Sequence, residues 1–171
     1  QKLIPQGATV STGGSVSLVE TGVLDLLSGG QYTFLDRDRV AGAEREALHR
    51  QAFSADWYLA SSNAVTEQGE LYNIDGNGNR VAALTFGPKN VVLVVGCNKL
   101  VPDLAAAAQR VREIAAPANT VRLARKTPCT VTGKCDDCRS PERICCTTVI
   151  HAQQQIVDRI QVILVGEPLG Y

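Results

Sequence analysis

The sequence predicts an α/β domain of three layers built on a mixed, mainly parallel sheet, and three observations carry that prediction. Short apolar runs alternate with stretches of helical periodicity along the chain. The run "VVLVVG" (91–96) is apolar on both faces, as a strand covered by helices on each side must be. "IQVILVG" (160–166) repeats that pattern near the end.

The elements follow in order. "ATVS" (8–11) is a short strand that runs into the turn Thr12-Gly13-Gly14-Ser15. Ser17 and Glu20 have the spacing of a capping box, and Val16, Val19, Val23, Leu26 and Leu27 follow at helical intervals until Gly29-Gly30. "AEREALHRQAF" (43–53) predicts a second helix and "DWYLAS" (56–61) a strand. "AVTEQGELYNI" (64–74) reads as two short strands around a turn at Gly69. After the polar run "DGNGNR" (75–80), "VAALTF" (81–86) reads as extended chain up to the breaker pair Gly87-Pro88. Pro102 suits the first turn of a helix whose buried stripe is Leu104, Ala107, Ala108, Val111 and Ile114, and Pro117 is expected to end it. The whole chain, 1–171, is expected to be one domain, with a cysteine-rich insertion at about residues 126–147 ahead of the last strand.

Composition excludes several classes. A length of 171 residues supports one substantial core, and 44% apolar with 20% charged residues is ordinary for a globular protein. Seventeen basic residues balance seventeen acidic ones, so no global field recruits nucleic acid or an anionic membrane. No apolar run approaches the roughly 18–20 residues of a membrane span. The start, "QKLIPQGATV", has neither an initiator methionine nor the apolar core of a signal peptide, which makes cytoplasmic residence the expectation.

Two loops carry candidate binding chemistry. The glycine turn at 12–15 follows a strand and opens a helix, where unpaired amides favour an anion, although a tight βα turn needs the same residues. It lacks the Rossmann spacing, and no phosphate-loop lysine follows. In "NIDGNGNR" (73–80), Asp75, Asn77 and Asn79 imitate the start of a calcium loop. Arg80 stands where that loop requires glycine and Phe86 where it requires glutamate, so an EF-hand is excluded. Arg80 instead offers a planar donor fork to a carboxylate or phosphate, with Asp75 to orient it; an Asx-rich turn is the plainer alternative. His49 and His151 belong to no motif, and neither a G-x-S-x-G elbow nor an H-E-x-x-H helix occurs.

Five of the six cysteines fall within "TPCTVTGKCDDCRSPERICC" (127–146). Cys129, Cys135, Cys138 and Cys145 have the spacing C-x5-C-x2-C-x6-C, and the C-x2-C pair is a common half-site for a tetrahedral metal. Zinc and an iron–sulfur cluster both fit four thiolates, and a disulfide or redox pair and unligated thiols stay open beside them. Lys126, Lys134, Arg139 and Arg143 surround the segment and favour thiolates. Cys97, ending a buried strand, is expected in the core.

Five blocks together resemble the LUD, or lactate-utilisation domain, family, related to lactate utilisation protein C: "ATVSTGGSVSLVETGVLDLL", "SSNAVTEQGELYNIDGNGNRVAALTFGPKNVVLVVGCNKLV", "AAPANTVRL", "TPCTVTGKCDDCRSPERIC" and "RIQVILVGEPLGY". The cysteine segment matches a single-domain subset of the family. The resemblance implies a fold similar to the sugar-phosphate isomerase and CoA-transferase superfamily, and a chain that begins at the family's first glycine turn without the helical region usually preceding it. It places the ligand site at Thr12, Gly13, Gly14 and Ser15, at the loop holding Asn63, at the segment holding Asn73, Asn79 and Arg80, and at Lys99. Arg80 and Lys99 would pair with a small anion, and Asp75 would orient Arg80 or act as a base.

The function implied is support of the oxidation of lactate or a related 2-hydroxy acid, with iron–sulfur oxidoreductase subunits as partners. A stand-alone isomerase or acyl/CoA-transferase-like enzyme is the alternative, with Asp75, Glu67 and Glu20 as candidate catalytic carboxylates. A non-enzymatic redox or metal-sensing partner is the third reading.

Overall fold

The computed structural model describes residues 3–171. Strand β1 (Thr9–Thr12) leads through the glycine turn into two short helices, α1 (Val16–Glu20) and α2 (Val23–Ser28). The single helix expected there breaks at Gly22, whose φ of 68° lies in the left-handed region. Ser15, rather than Ser17, caps α1 by accepting from Leu18 N–H. Val19 and Leu26 consequently face solvent. Next come β2 (Thr33–Leu35), α3 (Gly42–Gln51) and β3 (Trp57–Ala60), then the hairpin β4 (Ala64–Thr66) and β5 (Leu71–Asp75) that the sequence predicts around Gly69.

"VAALTF" is helix, not strand: it lies in α4 (Asn79–Phe86). The Asp75 carboxylate accepts from the backbone N–H groups of Asn77, Gly78 and Val81 and so starts the helix. Arg159, buried and distant in sequence, donates to the carbonyls of Ala83, Leu84 and Pro88 and satisfies its end. Gly87 is required there, because a Cβ would lie 2.5 Å from the Ala83 carbonyl oxygen.

Strand β6 (Asn90–Gly96) is followed by the two-residue β7 (Leu100–Val101) and by α5 (Leu104–Arg110), capped by the Asp103 side chain. Pro117 does not end this helix. The chain passes through a π turn, Val111–Ala115, into α6 (Ala116–Arg122), where Pro117 sits in the first turn, the position helices tolerate best. Ile114 is exposed, off the stripe. Helix α7 (Pro128–Thr132) opens the cysteine segment, and β8 (Thr147–His151) and β9 (Ile160–Val165) close the fold.

The strands form two sheets. The larger, in the order β2-β1-β3-β6-β9, is parallel throughout; the smaller, β7-β4-β5-β8, is mixed. Alternation along β3 and β6 divides the core. Tyr58, Ala60, Val91, Leu93 and Val95 pack with Val65 and Leu71 of the small sheet and Leu84 of α4. Trp57, Leu59, Val92 and Val94 pack on the opposite face with Leu18 of α1 and Leu27 of α2. Both faces of the central strands are therefore covered, as the continuous apolar run of β6 requires. β9 differs from expectation: as an edge strand it leaves Val162, Ile163 and Leu164 exposed.

Candidate functional site

Parallel strands bring the loops after β1, β3 and β6 to one edge of the sheet, the place where open α/β sheets bind ligands. A cavity of about 280 Å³ opens there. Its lining includes the buried Ser61 and Lys99 together with Gly14, Ser15, Asn63, Asp75 and Asn79. Arg37, Arg45, Arg80, Arg122 and Arg125 also line it. The count is six cationic side chains, Arg37, Arg45, Arg80, Lys99, Arg122 and Arg125, against one carboxylate, Asp75.

Arg80 does not face the cavity with free donors. Its NH1 donates to Ser61 O (3.2 Å) and Asn73 Oδ1 (2.5 Å), and its NH2 to Asn63 Oδ1 (3.0 Å) and Ile74 O (2.8 Å). Its Nε lies 3.6 Å from Asp75 Oδ2. Both terminal nitrogens of the fork thus have protein acceptors, and the side chain ties the loop after β3 to β5. Burial works against its charge, while Asp75 beside it supports the charge.

The glycine turn matters through close approach. A Cβ on Gly13 would lie 3.0 Å from Arg80 Cγ and Cδ and from the Tyr58 hydroxyl. One on Gly14 would lie 3.1 Å from Arg37 NH2. Gly13→Ala is expected to lower stability by about 1–3 kcal/mol through overpacking; an unchanged denaturation midpoint would remove this reason for the glycine. Helix α1 has five residues, too few to supply an anion site by its own dipole.

The freer cations are those the sequence did not single out. Arg37 bonds Asp38 through Nε, and its two terminal nitrogens have no hydrogen-bond partner among the described residues. Arg45 directs Nε to the carbonyls of Arg37 and Val40, which orients its remaining nitrogens. Arg122 leans on Asn119 Oδ1, and the Arg125 side chain is exposed. Lys99 is 4% exposed and donates to Ser17 Oγ (2.8 Å) and Ser61 Oγ (3.1 Å). Burial first, then Arg110 and Arg80, holds its amine down to about 8.

Of the remaining candidates, Thr12, Gly13 and Asn73 stand behind the wall: Thr12 and Asn73 are buried, and Gly13 bonds Leu59 O. Glu20 and Glu67 stay outside the cavity. Glu20 Oε2 accepts from Gly170 N–H and fastens the chain end, and Glu67 is exposed in the β4–β5 turn. His49 lines the cavity with its Nε2 buried and without a hydrogen-bond partner among the described residues, and burial lowers its pKa.

The cysteine segment adjoins this cavity. Cys146 N–H donates to Asp75 O, and Ile144 lines the cavity against Gly76. None of the six cysteines is paired in a disulfide. Cys97 is exposed, not in the core, because β6 ends at Gly96 and the thiol turns toward Gly166 O. Among the described residues no three His, Cys, Asp or Glu side chains are grouped so as to hold one metal ion, and no helix is long and apolar enough to cross a membrane.

A family model described as "LUD domain" matches residues 1–165. Among solved structures, the chain is similar to a DUF162-family protein from Deinococcus radiodurans at 16% identity and a TM-score of 0.43, over 94% of this chain and 88% of that one. It is also similar to eIF2B delta from Chaetomium thermophilum, at 20% identity and a TM-score of 0.37, over 60% of this chain and 45% of that one. No curated protein gives a significant match.

Proposed function

The chain belongs to the LUD domain family, and from that premise we propose that it is a small-anion-binding protein whose cavity takes a compact organic ligand bearing a phosphate or two carboxylates. The observation that carries this reading is the excess of cationic side chains, six against one carboxylate that is itself engaged with Arg80. A concave site with unpaired guanidinium groups and a buried amine has its solvation replaced best by a multiply charged oxyanion. Contacts come from Arg37, Arg45, Arg122 and the buried Lys99.

The competing ligand is the one the family's name suggests, lactate or a related 2-hydroxy acid, bound as a monoanion in support of its oxidation. Lys99 and one arginine suffice for a single carboxylate, and Ser61 Oγ would meet the hydroxyl. Calorimetric titration with L-lactate, pyruvate, malate, inorganic phosphate and ribose 5-phosphate separates the two. The dianions and phosphates are expected to bind more tightly. Arg37→Ala and Arg122→Ala should each weaken that binding about 10- to 100-fold, the size of a hydrogen bond to a charged group. Tighter binding of lactate and pyruvate would favour the 2-hydroxy acid reading. Absence of binding by all five, or indifference to both substitutions, would end the anion assignment.

A further inference from the structure

We propose that Ser61 and Lys99 form a nucleophile–base pair that transfers the acyl group of a carboxylic ester carrying an anionic substituent, an inference that rests on the reading of the cavity as an anion site. The ends of two neighbouring parallel strands place the pair: Ser61 directly follows β3, and Lys99 closes the short turn after β6. Both side chains line the cavity, and Lys99 Nζ stands 3.1 Å from Ser61 Oγ, within reach of a direct proton transfer. The Ser61 carbonyl accepts from Arg80, which fixes its backbone.

Two serines meet the amine, and they are not equivalent. Ser17 is fully buried and stays outside the cavity. Its hydroxyl donates to Leu169 O (3.1 Å), so toward Lys99 Nζ (2.8 Å) it is an acceptor only. The chain end packs against both groups. A Cβ on Gly170 would lie 3.0 Å from Ser17 Oγ and 3.4 Å from Lys99 Nζ, and Gly170 is itself fastened by Glu20 and Asn98. Ser61 has the opposite character. Its hydroxyl donates to Ser62 O at 3.3 Å, a long bond that is readily exchanged for one to a neutral amine. A neutral Nζ keeps two hydrogens, one of them for Ser17, and turns its lone pair to Ser61. Ser17 is thus a positioning residue, and Ser61 is the hydroxyl free to give up its proton.

The surroundings favour the neutral amine. Burial first, then Arg110 and Arg80, hold it down to about 8, with Glu20 opposing them. A base in this range is matched to work near neutral pH. In the first step Ser61 Oγ attacks the acyl carbon as its proton passes to Lys99 Nζ, so the Oγ–H bond breaks and an Oγ–C bond forms. Lys99 returns that proton to the departing alkoxide as the ester C–O bond breaks, which leaves an acyl-Ser61. Water then attacks the acyl carbon, and Lys99 takes its proton and hands it to Ser61 Oγ as the Oγ–C bond breaks. The carboxylic acid leaves and ionises in solvent, and both side chains are restored. The arginines lining the cavity supply positive charge for the anionic substituent and for the oxyanion formed at each attack.

Mono-p-nitrophenyl adipate, an ester with one free carboxylate, tests this through nitrophenolate release and peptide mass mapping. Steady release by the wild type, an adipyl adduct at Ser61 in acid-quenched samples, and acylation that quickens as pH rises through about 8 are expected. Ser61→Ala should abolish the adduct. Lys99→Met should slow release about 100- to 10,000-fold, the usual contribution of a positioned base. Circular dichroism checks that both variants are folded, and the mapping of the wild type needs neither of them. No adduct at Ser61 of the wild type, an adduct on Lys99 in its place, or release unaffected by Ser61→Ala overturns the pair. Inorganic phosphate separates this result from the fate of the anion reading. Phosphate that binds a protein forming no adduct leaves the anion site standing and ends the pair. An adduct whose formation phosphate does not slow leaves the pair standing and ends the anion site.

Discussion

Replacing Arg80 with alanine is expected to lower folding stability by about 3–5 kcal/mol, the usual effect of removing one partner of a buried charged pair. That is a large fraction of the 5–15 kcal/mol typical of a whole domain. The size follows from what is stranded. Asp75 loses its guanidinium, and Asn73, fully buried, loses the partner of its Oδ1 while its Nδ2 already has none. The Ser61 and Ile74 carbonyls lose their donors as well. Arg80→Lys should recover little, because one ammonium group cannot reproduce five donors in a fixed plane. Urea denaturation followed by circular dichroism measures both. A midpoint near wild type, combined with lost anion affinity, would instead make Arg80 a ligand contact and its internal bonds incidental.

An Asx-rich run ending in arginine stands out in the sequence, and Asp75, Gly76, Asn77, Asn79 and Arg80 line the cavity. What the sequence could not show is the direction of the guanidinium, which depends on Asn63 in the loop after β3 and Asn73 in β5. "VAALTF" failed for a related reason. Five apolar residues and a threonine cannot be assigned to strand or helix by period alone, and the deciding partners are Asp75 ahead of the segment and Arg159 far beyond it. The parallel sheet was legible because β6 is apolar on both faces and must be covered on both. The ring of cations was not. Arg37, Arg45, Arg122 and Arg125 come from separate stretches, and each taken singly is an ordinary surface arginine. The turning out of Cys97, by contrast with the burial of Cys129, belongs to tertiary structure.

Lys99→Met is expected to stabilise the protein at pH 7 while weakening anion binding. Lys99 is buried with two serine hydroxyls as acceptors and no carboxylate within ion-pair distance among the described residues. Its pKa of about 8 in the fold lies below the ordinary unfolded value of about 10.4. Below pH 8 the folded state therefore carries a charge it disfavours. Between about 8 and 10.4 the unfolded chain binds a proton that the folded chain has released, so stability rises with pH across that window. The full difference corresponds to about 3 kcal/mol, and solvent reaching the cavity reduces it, so the methionine variant should gain about 1–3 kcal/mol at pH 7 and lose that rise. Anion affinity in the wild type should fall as pH increases through 8, as the amine gives up the charge it offers the ligand, and the variant should show no such fall. A residue that lowers stability while lining a cavity is the usual mark of a site kept for binding rather than folding. Were Lys99→Met to destabilise the protein and leave affinity and its pH dependence intact, the amine would be a structural bolt joining α1 to the loop after β3, and the buried contact of the anion site would have to be sought elsewhere.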